Sequence, residues 1–188
     1  MADVLPLVEA RLRTALGEPD ARAAVTFLGT DRIEVLRFTD VTDITDADTG
    51  TGTGAGAGTG SSTGTGTGII RYATLGMSAQ PMADPTAVVA DPVAGPRAEL
   101  VLSVRAGAAD TDKVLRPLAV LAASPQVEGL IVAPGASLDV GDPLWPGAPF
   151  TSVLVAEPGG LIEDLELDAP LDPVRFLPLL PMTPNEAA

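Results

Sequence analysis

A chain with neither histidine nor cysteine has few ways to move a proton or attack a carbon, and this one has neither. General acid–base work would fall on carboxylates, on Lys113 or on Tyr72, the last two each the sole residue of its type. Two carboxylates held about 5–9.5 Å apart in a cleft can hydrolyse a glycosidic bond. The candidates are Asp139, Asp142, Glu163, Asp164 and Glu166. The last three belong to a stretch where acids alternate with Leu165 and Leu167, as on the wet face of a strand. Asp142 stands between Gly141 and Pro143, where a turn-forming aspartate accounts for it. No catalytic residue is expected, and a carboxylate hydrolase is the lesser reading.

Ligand chemistry fares no better. The glycines of residues 50–68 all fall on even positions, whereas both nucleotide fingerprints need two glycines an odd distance apart. Asp46 and Asp48 fit the first two ligands of a calcium loop, but its glycine would fall on Thr51 and its last ligand on Ala57. Without thiols there is no disulfide and no thiolate metal site. No metal and no cofactor are expected.

Contact is the remaining chemistry. Trp145, the only tryptophan, lies in a loop framed by Pro146 and Gly147. It suits a binding hot spot, and it equally suits a cap on the core beneath the loop. Met77 and Met82 could line an adaptable groove or fill the core. With Asp142, these are the candidate partner-binding residues.

The net charge of −14 repels phosphate backbones and anionic lipid, so neither nucleic acid nor membrane is an expected partner; a basic protein is compatible with it. No segment approaches the roughly 18 consecutive apolar residues of a membrane helix, and the N-terminus lacks a leader pattern, so a soluble cytoplasmic protein is expected. The apolar fraction of 46% supports a core, packed with aliphatic side chains because aromatics supply 3%.

The elements that would hold these residues follow from periodicity. Residues 69–82 and 97–104 form the centre. In the second, Ala98, Leu100, Leu102 and Val104 alternate with Arg97, Glu99 and Ser103, the pattern of a half-buried strand, Val101 excepted. Joined by a proline-rich loop, the two predict an antiparallel pair mid-sheet. Val4, Leu5, Val8, Leu12, Ala15 and Leu16 predict an amphipathic helix over residues 3–16, with Asp3 as N-cap. Residues 24–28 and 32–38 read as a hairpin about Gly29, Thr30 and Asp31. Residues 40–68 are acidic and then Gly/Thr-rich, too poor in apolar surface to offset backbone entropy, and read as a flexible insertion within one domain spanning residues 1–188. A second helix runs from Val114 or Leu115 to a stop at Ser124 and Pro125. Residues 130–132 predict a short buried strand, 134–149 a turn-rich loop, 150–156 a central strand, 161–168 a strand with one wet face, and 174–180 another strand. Thr183 to Glu186 carries a capping box with proline at the first helical position, announcing a C-terminal helix that is cut short.

Four stretches, taken together, resemble one family. They are Tyr72 to Met82, reading YATLGMSAQPM; Arg97 to Leu102, reading RAELVL; Pro134-Gly135 with Gly141-Asp142-Pro143 and Pro149-Phe150-Thr151; and Val174 to Glu186, reading VRFLPLLPMTPNE. Their order and spacing are similar to the Suppressor of Fused domain family, from Leu5 onward and excluding residues 40–68. The resemblance implies an α+β fold with a mixed, largely antiparallel sheet flanked by helices, and no catalytic residues. Eukaryotic members bind a zinc-finger transcription factor, partly by adding a strand of the partner to a sheet; bacterial members have been proposed as immunity proteins in toxin systems. This chain lacks the second domain of the eukaryotic form, so transcription-factor binding does not carry over. The expectation is a non-catalytic protein-binding domain, neutralising a basic toxin partner, with a general regulatory interaction domain as the alternative.

Overall fold

Helix α1 (Val4–Leu16) opens the computed structural model, which describes residues 3–40, 68–89, 91–107 and 110–187. Asp3 caps it, accepting the Leu5 amide at 3.3 Å. Gly17, at φ 86°, turns the chain out, and its amide closes on the Arg13 carbonyl. Val4, Val8 and Leu12, one helical turn apart, are the side it buries.

Among the described residues seven strands form one sheet: β1 (Ala21–Val25), β2 (Ile33–Asp40), β3 (Ile69–Leu75), β4 (Arg97–Arg105), β5 (Ser137–Asp139), β6 (Ser152–Val155) and β7 (Val174–Met182), in the order β1-β2-β3-β4-β7-β6-β5. Every neighbouring pair is antiparallel except β4 and β7. The sheet is therefore two antiparallel meanders joined by one parallel seam. Helix α2 (Leu115–Glu128) provides the first part of the crossover that a parallel pair requires.

The pleat sends alternate side chains to opposite faces. Leu36, Phe38, Ala73, Val101 and Phe176 pack with α1. Val35, Tyr72, Leu100, Leu102 and Leu177 pack with Leu118 and Ala122 of α2. Each large aliphatic side chain so buried contributes about 1.5–3 kcal/mol before ordering costs. This is the expected α+β architecture, with a mixed, largely antiparallel sheet flanked by helices.

Several local expectations need correction. Strand β4 is not half-buried: its first six residues are all buried, Glu99 fully so. Helix α2 does not stop at Pro125 but runs to Glu128, where Gly129 takes the left-handed conformation. Proline offers no amide to the Leu121 carbonyl, and the Ser124 hydroxyl takes that carbonyl instead, at 2.6 Å. Residues 130–132 belong to no strand. The loop 134–149 contains β5, and residues 161–168 reduce to one bridge, Leu165 opposite Val174. The hairpin strand β1 ends at Val25, three residues short of expectation, because a turn closes from the Thr30 amide to the Phe27 carbonyl. At Thr183 the capping carboxylate is in place, Glu186 accepting both the Thr183 amide and hydroxyl at 2.8 Å. The insertion at 41–67, with Asp46 and Asp48, lies outside the described residues.

Candidate functional site

The most heavily wired part of the molecule is the turn after β3. The β3–β4 register ends at Ala73 opposite Val101. Beyond it the Thr74 hydroxyl takes the place of a ladder partner, accepting the Leu100 amide at 2.8 Å and donating to Glu99 Oε2 at 2.6 Å. Glu99 Oε1 accepts the Gly76 amide at 2.9 Å, the Ser78 amide at 3.0 Å and the Ser78 hydroxyl at 2.5 Å. Arg97 works from the other side, donating to the carbonyls of Ser78 at 2.7 Å, Ala79 at 3.0 Å and Val93 at 3.2 Å. A short 3-10 turn, Met77–Ala79, is thus clamped by a carboxylate on its donors and a guanidinium on its acceptors. Burial pushes the Glu99 carboxyl above the usual carboxylate range, against the pull of its hydrogen bonds. Glu99 has no free edge to offer a substrate, and the clamp is structural.

A second polar network crosses the α2 face. The Tyr72 hydroxyl lies 2.7 Å from the Thr111 hydroxyl and donates to Asp112 at 2.9 Å. Arg37 donates to Asp112 at 2.6 Å and to Asp20 at 2.5 Å. Burial pushes the Tyr72 phenol up to about 12, with the Asp112 carboxylate adding to the rise and Thr111 opposing it. Strands β1 to β3 are tied by these bonds to the segment that starts α2.

The parallel seam opens where a proline interrupts it. On β7 the carbonyls of Pro178 and Met182 receive amides of Ala156 and Thr151, so even-numbered residues turn their backbone toward β6. Odd-numbered Pro181 therefore turns its ring nitrogen toward β4, where it has no hydrogen to give. Pairing of β4 with β7 stops at Leu102 and Leu179. Two cavities flank this opening, one on each face, and both are lined by Ser103 and Pro181. The cavity on the α1 face, about 140 Å³, is walled by Val101, Ile162, Phe176 and Leu179. The one on the other face, about 350 Å³, is bounded by Val104, Arg105, Thr111, Trp145 and Phe150.

Trp145 is half-buried, its ring 5.8 Å from that of Phe150 and tilted by 59°. It both caps the core and borders an open cavity. Asp142 is exposed in the same loop. Met77 and Met82 are 2% and 5% exposed and sit in the α2-side core, where the Met82 sulfur accepts the Val132 amide at 3.3 Å. They fill space in that core. The structure thus keeps Asp142 and Trp145 on one surface loop, with Trp145 packed against the core cluster that holds both methionines. The carboxylates proposed for hydrolysis do not converge in a cavity: Asp139 caps the turn at Gly141, Glu163 lies 3.5 Å from Arg11, Asp164 lies 3.9 Å from Arg175, and Glu166 is exposed. Among the described residues no group of acids is arranged to hold a metal ion, and no helix is long and apolar enough to cross a membrane.

Strand β5 is an edge that sequence reasoning missed. The Ala136 carbonyl and the Val140 amide bond to β6 and its flank, so Ser137 and Asp139 turn their amides and carbonyls outward. The opposite edge, β1, carries Arg22 in ion pairs with Glu9 and Glu34, a charge dressing that discourages pairing. A three-residue strand between turns gives too short a pattern to read; the alternation of Ser137, Leu138 and Asp139 was the available signal.

An open mixed sheet with one helix on each face, split at a parallel seam, defines an α+β domain built on two meanders. The model of the family described as Suppressor of fused protein (SUFU) matches residues 29–188, and the chain belongs to that family. A SUFU homolog from Neisseria gonorrhoeae superposes with a TM-score of 0.59 at 16% identity, covering 98% of this chain and 80% of that one. A chain of a Sufu–Fu complex gives 0.58 at 12% identity, covering 97% and 77%. At such identities the likeness is one of fold. No curated protein matches the sequence.

Proposed function

We propose that this chain is a protein-binding domain without catalytic activity, which takes a strand of its partner along β5 and packs that partner against the Trp145 loop. The observation that carries this reading is the outward-facing backbone of Ser137 and Asp139 beside a half-buried tryptophan. Main-chain hydrogen bonds at a sheet edge supply affinity, and neighbouring side chains supply selectivity. Membership of the SUFU family supports it, as does a solved relative captured in complex with Fu. The charge of −14 favours a basic partner and steers its approach. A toxin domain neutralised by occlusion is the partner of that description we favour.

The test is a substitution that spares the fold. Ser137→Pro removes only an amide that faces away from β6, a position an edge strand tolerates. Purified chain used as bait in the source cells should recover a basic protein, and Ser137→Pro should lose at least tenfold in affinity for it. Capture that is indifferent to Ser137→Pro would remove the edge from the mechanism; turnover of a substrate by purified protein, abolished by Asp142→Asn, would replace binding with hydrolysis.

A further inference from the structure

The seam between β4 and β7 has a second opening, on the α1 face, which the β5 edge does not use. We infer that this apolar pocket is an anchor site for one large apolar side chain of a protein partner, presented within a lysine- or arginine-rich segment. The inference rests on the protein-binding reading above and adds to it the chemistry of the segment bound.

Size limits the occupant. The cavity of about 140 Å³ matches the roughly 150 Å³ of an apolar cavity that accepts benzene, the bulk of a phenylalanine or leucine side chain. Its floor is already built: Val101, Ile162, Phe176 and Leu179 are at most 4% exposed, so nothing need move to receive a guest. Its rim is unfinished, because Leu161 and Leu180 are 47% and 50% exposed. A side chain entering the pocket would cover both.

Charge selects what surrounds that side chain. Residues 157–172 include Glu157, Glu163, Asp164, Glu166, Asp168 and Asp172, with no cation among them. Arg175 lies 3.6 Å from Glu157 and 3.9 Å from Asp164, and Arg11 3.5 Å from Glu163. The Glu157 and Glu163 side chains nonetheless remain 80% and 87% exposed. The excess negative charge repels a fatty acid or a phosphate-bearing ligand and attracts flanking lysines or arginines.

The probe is a phenylalanine-centred peptide with two lysines on each side, titrated into methyl-labelled protein and followed by NMR. We expect saturable shifts at Leu161, Ile162 and Leu180. An alanine-centred peptide and a glutamate-flanked peptide should each bind at least tenfold more weakly. Leu161→Arg, which places a cation on the rim, and Ser103→Phe, which fills the pocket, should each cost tenfold or more; both positions are exposed, so the core stays intact. Ser137→Pro should leave peptide binding unchanged, which separates this site from the β5 edge. Equal binding of the alanine-centred peptide, no saturable binding, shifts confined to other methyls, or indifference to Leu161→Arg would each overturn the anchor site and leave the β5 reading standing.

Discussion

Arg97 and Glu99 grip the same residue from opposite sides: Glu99 accepts the amide and hydroxyl of Ser78, and Arg97 donates to its carbonyl. The two buried ions do not pair with each other. Each bonds the turn that the other also holds, so removing either leaves the turn half-bound. Thr74, Gly76, Ser78, Arg97 and Glu99 all lie within two of the four stretches that make the chain recognisable. The resemblance is thus written in a scaffold and speaks to fold before function.

Replacing Glu99 separates hydrogen bonding from charge. Glu99→Ala strands four donors in a buried site, at about 1–3 kcal/mol for each that finds no water, so a loss of at least about 3 kcal/mol is expected in urea unfolding. Glu99→Gln keeps an acceptor for the turn and should cost far less. Because the folded carboxyl is raised above its unfolded value, its contribution is complete at low pH and is lost as pH rises through the folded value. The wild type should therefore lose stability as pH rises above the unfolded carboxylate value, and Glu99→Gln should flatten that slope.

Removing Arg97 should loosen the same turn from its carbonyl side. Arg97→Met leaves three carbonyls, that of Ser78 buried and those of Ala79 and Val93 partly so, short of a donor, and a cost of about 2–4 kcal/mol is expected. Hydrogen exchange should quicken at Ala79 and at Met82, whose amide bonds the Pro96 carbonyl, while α1 amides remain protected.

Gly76 has no room for a side chain. At φ 135° a Cβ would stand 2.7 Å from the Arg32 carbonyl oxygen. Gly76→Ala should lower stability by about 2 kcal/mol or more, through backbone strain and the contact together, with a drop in Tm of several degrees.

Tyr72 is the only tyrosine, so its ionisation can be followed by ultraviolet absorbance. With its folded value raised to about 12, the tyrosine's contribution is complete below about 10, the unfolded value, and is lost as pH climbs toward 12. No tyrosinate should appear in folded protein at pH 10.5. Tyr72→Phe should cost about 1 kcal/mol.

How far the sequence could be read depended on what each pattern reports. Helix α1 carries a helical period, strand β4 an alternation and strands β3 and β7 aliphatic-rich runs, and all four stand where those patterns put them. Alternation reports which faces are wet, not which edges are paired, and so residues 161–168 look like a strand yet make a single bridge. The same logic misplaced Glu99, since a charge in an alternating run reads as solvent-facing. Val101, breaking the alternation next to it, was the sign that both faces of β4 are covered. The seam was invisible because its partners lie far apart in the chain, and β5 because three residues make no period.

The parallel pairing of β4 with β7 also governs how the chain is made. The β4 strand is complete at Arg105, whereas β7 starts only at Val174. At about 5–20 residues per second, synthesis of the intervening roughly 70 residues takes about 4–14 s. Throughout that interval a strand from the middle of the sheet, six of its nine residues buried in the finished fold, shows an unsatisfied edge at the ribosome, inviting intermolecular zipping by its neighbours on a polysome. Slow decoding after Arg105 should therefore lower the yield of native protein, and a chaperone that shields β4 early should restore it.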